Sequence, residues 1–228
     1  MSKFVSVLAL AFILLATAAH AEIAIVDDNG TSSGVVTNTA NYAVNLPTGV
    51  TDGDLVVVAI SSNSPATLSA EGYAPGYLVG FKDGANGCFE FYHVWKQGDS
   101  TNPVFSRATT GSDAYAVAVL SGVQTGTFVD ISTGTSSGDG TLVNLPAMTT
   151  HNNGDMAVYA SCAEAGATFS NPSVGTIAVQ QSSPSSSIAI STYTQPTAGV
   201  IPTEATYTDA NLFNGSAVMA VIAAPASN

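Results

Sequence analysis

The sequence predicts an all-β protein: an antiparallel, jelly-roll-like β-sandwich of about eight strands, built from two pseudo-repeats. Three observations carry this. A phrase recurs, since VNLPTGVTDGDLVVVAI from Val44 returns as VNLPAMTTHNNGDMAVYA from Val143. The apolar runs are short and rich in Val, Ile and aromatic residues, as strands are. Clusters of Gly, Pro, Asn, Asp and Ser, the residues of turns, separate them.

Residues 1–21 read as a secretory leader, with Lys3 as the positive n-region, Val5 to Thr17 as the apolar stretch and Ala19-His20-Ala21 as a small-x-small cleavage site. The apolar stretch falls short of the ~20 residues of a membrane span. Cleavage after Ala21 is expected to leave one domain, 22–228, with pseudo-repeats over about 22–122 and 123–228 and no membrane contact. The protein is then secreted, extracellular or on a particle surface. An uncleaved anchor is the alternative. Without Lys3 three cations remain, Lys82, Lys96 and Arg107, against 16 carboxylates. A phosphate backbone is repelled by such a surface, which excludes nucleic acid as a partner.

The halves align at several points in the same order. AIVDDNGTSSG from Ala24 matches TFVDISTGTSSG from Thr127. VNLP at 44–47 matches VNLP at 143–146, Gly53-Asp54 matches Gly154-Asp155, and ATLS at 66–69 matches ATFS at 167–170. AVAVLSG from Ala116 matches AVMAVIAA from Ala217. Strands are expected over Asp54–Ser61, Cys88–Lys96, Ala114–Gly122 and Ser216–Ala224. A further strand from Asp155 should place Met156, Val158, Ala160 and Cys162 on one face. Leu46-Pro47 and Leu145-Pro146 should end strands, because Pro cannot donate to a ladder, and each Gly-Asp should turn into the next one. A core shared by both halves is expected, with two small barrels as the alternative.

The order LPTGVTDGDLVVVAI, EGY (Glu71 to Tyr73), FEFYHVWK, NPVFS (Asn102 to Ser106) and AVAVLSGV resembles a family of β-sandwich domains in bacteriophage structural proteins and secreted bacterial proteins. Tyr73 stands where that pattern has Trp. The resemblance covers most of Val44 to Ala224. It implies the fold, and a place on a virion, fibre or cell surface with protein partners or self-assembly.

The residues point to little catalytic chemistry. Both GTSSG stretches, at 30–34 and 134–138, fit G-x-S-x-G, with Ser32 and Ser136 as nominal nucleophiles. A nucleophile elbow needs a helix to follow, and no helical period does, so both read as Gly/Ser loops. His93 lies in the aromatic strand and His151 in a corner loop, with nothing coupling them into a triad. Cys88 and Cys162 form a disulfide in an oxidising compartment, or stay separate buried thiols. Asp27, Asp28, Asp52 and Asp54 are oxygen-rich loop residues, the weak candidates for calcium; no other cofactor is expected. Asn29-Gly30-Thr31 and Asn214-Gly215-Ser216 are sequons. Phe89, Phe91 and Trp95 should share one face of their strand, with Tyr92 on the other. If a ligand site exists, it is expected around Tyr73, Tyr77, Tyr92 and Trp95.

The leading expectation is therefore a non-enzymatic exported structural or surface protein. The alternative is a carbohydrate-binding, lectin-like module.

Overall fold

The computed structural model describes residues 21–26, 30–64, 66–82 and 84–225. The segment expected to be a leader, 1–21, lies outside them but for Ala21, and so do the calcium candidates Asp27 and Asp28. Fourteen strands follow one another in the described residues. In the first half they are β1 (Ala24–Ile25), β2 (Thr31–Ala43), β3 (Leu55–Ser62), β4 (Ser69–Ala70), β5 (Ala74–Phe81), β6 (Asn86–Val94) and β7 (Val104–Ser121). In the second they are β8 (Val129–Leu145), β9 (Met148–Thr150), β10 (Met156–Ala163), β11 (Thr176–Ser182), β12 (Ser187–Thr194), β13 (Gly199–Ile201) and β14 (Glu204–Val221). The fold is all-β with antiparallel pairing, as the sequence predicts, but with more strands than eight.

Each half makes its own sheet. The first runs β2-β7-β3-β6-β5, with β1 and β4 also on β7; the second runs β8-β14-β10-β12-β11, and β9 pairs with β13 apart from both. The orders correspond position by position. Ser33 lies opposite Ala116 and Gly134 opposite Ala217, each 101 residues on. Leu55 pairs with Val94, and Met156 with Thr194. Even the irregularities recur: β5 bulges between Pro75 and Tyr77, and β11 between Ile177 and Val179.

This register corrects the letter matches. The two GTSSG stretches, 104 positions apart, are three residues out of structural equivalence, and the two VNLP stretches, 99 apart, are two out. Nor are the GTSSG stretches loops. Thr31 opens β2, and Gly134–Gly138 lies inside β8, both laddered to a long central strand. These are edge strands whose one paired side supplies the hydrogen bonds, so they need few apolar residues to be held.

The central strands are buried on both faces. Along β3, Leu55, Val57 and Ala59 face a core between the sheets, while Val56, Val58 and Ile60 face a second core inside the first half. The period-2 alternation of a strand produces this division. Met156, Val158, Ala160 and Cys162 do share the inter-sheet face, and Ala157 and Tyr159 face the interior of the second half. The core is shared, as expected, yet each half also closes a core of its own. The reason is the length of β2 and β7. Beyond Gly111 they bend and lay Tyr42 and Phe105 over the outer face of their sheet.

A buried pair fixes that bend. The Arg107 guanidinium donates to Asp113 Oδ1 at 2.7 Å, to Ser62 Oγ at 2.7 Å and to the Thr39 carbonyl at 3.0 Å, tying β7 to β3 and β2. Gly111 is required beside it, since a Cβ there would stand 2.7 Å from the guanidinium carbon. In the second half Thr208 and Asn214 take the corresponding places. The Asn214 amide donates to the Gly140 and Leu212 carbonyls and is fully buried, which removes this sequon from the folded surface.

The Gly-Asp corners explain the recurring phrase. Asp54 Oδ2 accepts from the Thr51 N–H and hydroxyl, both at 2.8 Å, and Asp155 Oδ2 accepts from the N–H groups of His151 and Asn152. Gly53 and Gly154 precede them at φ +90° and +85°, a conformation glycine adopts without steric cost. Each carboxylate closes the turn that starts a central strand.

The sheets pack as an approximate two-fold. β5 lies on β8 and β14, and its counterpart β11 on β2 and β7; β3 meets β10 near the axis. Two side-chain differences break the symmetry inside the shared core. A disulfide joins Cys88 of β6 to Cys162 of β10, with Cα atoms 5.7 Å apart, where the related pair is Ile188 and Ser61. Glu90 of β6 is fully buried with both carboxylate oxygens unpartnered, where the related residue is Ile190. Burial raises its carboxyl well above the ordinary value of 4.5.

Two predictions follow from these differences. The disulfide closes a 74-residue separation, so Cys88→Ala with Cys162→Ala should cost about 2–4 kcal/mol, read by urea unfolding; an unchanged midpoint would refute the cross-link. Glu90 favours folding in its protonated form, and that contribution is complete below pH 4.5 and declines as pH rises towards the raised folded value. Glu90→Ile should therefore stabilise the protein by about 1–3 kcal/mol at pH 7 and by less at pH 4. Equal gains at both pH values would contradict a buried neutral acid.

Candidate functional site

Beyond β6 the chain turns back towards β7, and this return loop with β4 encloses an open cleft on the outer side of the first half. Its cavity is about 710 Å³. The loop from Trp95 to Pro103 forms one side, Ser69 to Tyr73 the other, and the start of β7 the back. Trp95 anchors the loop: its N–H donates to the Asp54 carbonyl at 2.8 Å and its carbonyl accepts from Gly53 at 3.0 Å. The cleft thus hangs on the first Gly-Asp corner.

His93 and Asp99 brace its floor. Asp99 Oδ2 accepts from the Lys96 N–H at 2.8 Å and faces His93 Nε2 at 2.7 Å, while His93 Nδ1 faces the Gly72 carbonyl at 2.9 Å. The His93 hydrogen bond, with help from the Lys96 N–H, lowers the Asp99 carboxyl below its ordinary value. Carbonyl and carboxylate oxygens only accept, so both contacts are hydrogen bonds when each ring nitrogen carries a proton.

Tyr73 packs on this brace. Its ring centroid is 5.0 Å from that of His93 and 5.6 Å from that of Phe105. Its hydroxyl is buried and without a hydrogen-bond partner, and burial raises its pKa. Trp95 is 7% exposed and stands against the core of the first half with Phe89 and Phe91. As expected, Tyr92 points the other way, towards the inter-sheet core, edge-on to Phe128 at 5.4 Å. Tyr77 is 37% exposed on β5, beside Gly134 of β8. The structure therefore gathers Tyr73 and Trp95 in one cleft and places Tyr77 and Tyr92 elsewhere.

Sequence reasoning passed over His93, Asp99 and Asn102 as parts of one site. The available signal was the spacing HVWKQGD, a histidine and an aspartate either side of a Gly98 turn. His151 meets Asp130 on the other half, well exposed, and that aspartate raises its pKa. Ser32 lies in β2 and donates to the Asn45 carbonyl at 2.5 Å, in strand and not elbow geometry. Among the calcium candidates, the Asp54 carboxylate is engaged by its own turn and Asp52 is exposed. Among the described residues no three His, Cys, Asp or Glu side chains gather closely enough to hold a metal ion.

Comparison with protein-family models, with curated proteins and with solved structures gives no match to this chain.

The brace has a pH signature. A lowered carboxyl contributes stability that is complete above the ordinary aspartate value of 3.8 and is lost as pH falls through the lowered one. Amide protection factors in Lys96–Asn102, taken against the intrinsic rate at each pH, should therefore fall below about pH 4, and in Asp99→Asn exchange should be fast already at pH 7. Slow exchange in that variant would show that the carboxylate does not hold the loop.

Proposed function

We propose that this chain is a non-enzymatic, exported structural or surface protein, a β-sandwich subunit displayed on a particle, filament or cell envelope. The observation that supports it most is the covalent and symmetric joining of the two sheets. A disulfide crosses the shared core, and disulfides persist in oxidising compartments outside the cytosol. The leader-like start of the sequence points the same way.

The surface chemistry is consistent with display. Of the three cations after the leader, Arg107 is buried against Asp113 and Lys82 pairs with Glu164 across the sheets. What remains outside is mostly Ser, Thr, Gly and Asn on strands, with carboxylates for solubility.

The test is the native mass and appearance of the protein from its natural source, by light scattering and negative-stain electron microscopy. Multimeric particles or filaments containing the chain are the expected result. A free monomer throughout, in solution and on the envelope fraction, would overturn the structural reading.

A further inference from the structure

We propose that the cleft between β4, the end of β6 and the start of β7 binds a neutral saccharide residue. This stands apart from the structural reading, since a displayed subunit and a free protein could each carry such a site. A cavity of about 710 Å³ falls in the usual size range of small-ligand sites, roughly 300–1,000 Å³. Its lining mixes aromatic surface from Tyr73 and Trp95 with the side chains of Glu71, Asp99 and Asn102 and several serine hydroxyls.

Charge selects among ligands. The lining has carboxylates and no lysine or arginine, so a phosphate, sulfate or carboxylate ligand would meet repulsion. A cation gains little in return, because Asp99 Oδ2 is already engaged by the Lys96 N–H and faces His93 Nε2. A neutral ligand rich in hydroxyls meets neither obstacle. Carboxylate and amide oxygens accept from hydroxyls, and the amide N–H groups of Asn102 donate back.

The apolar C–H face of a pyranose suits the Tyr73 ring, which is fixed from behind by Phe105. The second half offers no equivalent, because Trp95 and His93 are replaced by Gln195 and Tyr193. One site per chain is therefore expected.

The experiment is calorimetric titration of the processed protein with methyl glycosides of glucose, galactose, mannose and N-acetylglucosamine. Tetramethylammonium chloride and inorganic phosphate serve as the charged probes. At least one glycoside should bind with a Kd of about 10 mM or tighter, at one site per chain. Tyr73→Ala and Asn102→Ala should each weaken it about tenfold or more, and Tyr73→Phe, which keeps the ring, should change it little. Tyr207→Ala, on the exposed face of the second half, should leave it unchanged. Asn102→Ala keeps the test valid if Tyr73→Ala does not fold. The proposal is overturned by no glycoside binding at that concentration, by binding that survives Asn102→Ala, or by tighter binding of either charged probe.

Discussion

The structure depends on central strands that are buried on both faces. β3 and β7 in one half, and β10 and β14 in the other, each present one face to the shared core and one to their own half. A one-residue slip in such a strand would exchange every side chain between two cores of different shape. Register is thereby fixed without help from turns alone. The inter-sheet face of β7 carries small residues, Ala114, Ala116 and Ala118, so bulk comes from Leu55, Met156, Ile188 and Met219. Small facing large is what close packing of two related surfaces requires.

Because the two halves share a backbone plan, their differences locate what each half does. The shared core differs at Cys162 against Ser61 and at Glu90 against Ile190, inside one two-fold pattern. The bends of the long strands differ too: Arg107 with Asp113 on one side, Thr208 with Asn214 on the other. Both bends bury polar atoms beside a long strand, which shows that the bend needs hydrogen bonds to strand neighbours and not charge as such. Only the first half invests an ion pair there. Removing one partner of a buried pair is far more costly than exchanging both for apolar groups, so the first half is the more sharply specified of the two.

The sequence announced the central strands because burial on both faces writes continuous apolar runs, as in LVVVAI of β3 and MAVYA of β10. It announced the corners because Gly-Asp has a steric and a hydrogen-bonding reason to recur. It concealed β2 and β8, whose Ser, Thr and Gly residues resemble loop composition; their order comes from pairing with β7 and β14. The letter repeats misled by small slips. A slip of two, as at VNLP, keeps the same face inward, whereas a slip of three, as at GTSSG, reverses it. Tyr73 and Trp95 were readable as aromatic candidates. The separation of Trp95 from Tyr92 was legible in the alternation of β6, whereas that from Tyr77 was not, because it follows from where the bulged β5 packs.

The cleft is the far end of one chain of causes. The Arg107–Asp113 pair sets the bend in β7, and Gly111 makes room for it. The bend carries Phe105 and Ser106 over the outer face, where β4 pairs with them. On the other side the Asp54 turn fixes Trp95, and Asp99 with His93 closes the return loop. Every wall is therefore tied back to a buried or hydrogen-bonded element, although the residues that line the cleft sit in turns. Such a site is preorganised: little ordering remains to be done when a ligand arrives, which matters most for a weak, neutral ligand whose individual hydrogen bonds merely replace those it made to water. His93 and Asp99 contribute geometry to that cleft, and what it leaves open is the face of an aromatic ring beside oxygen atoms that can accept from hydroxyls.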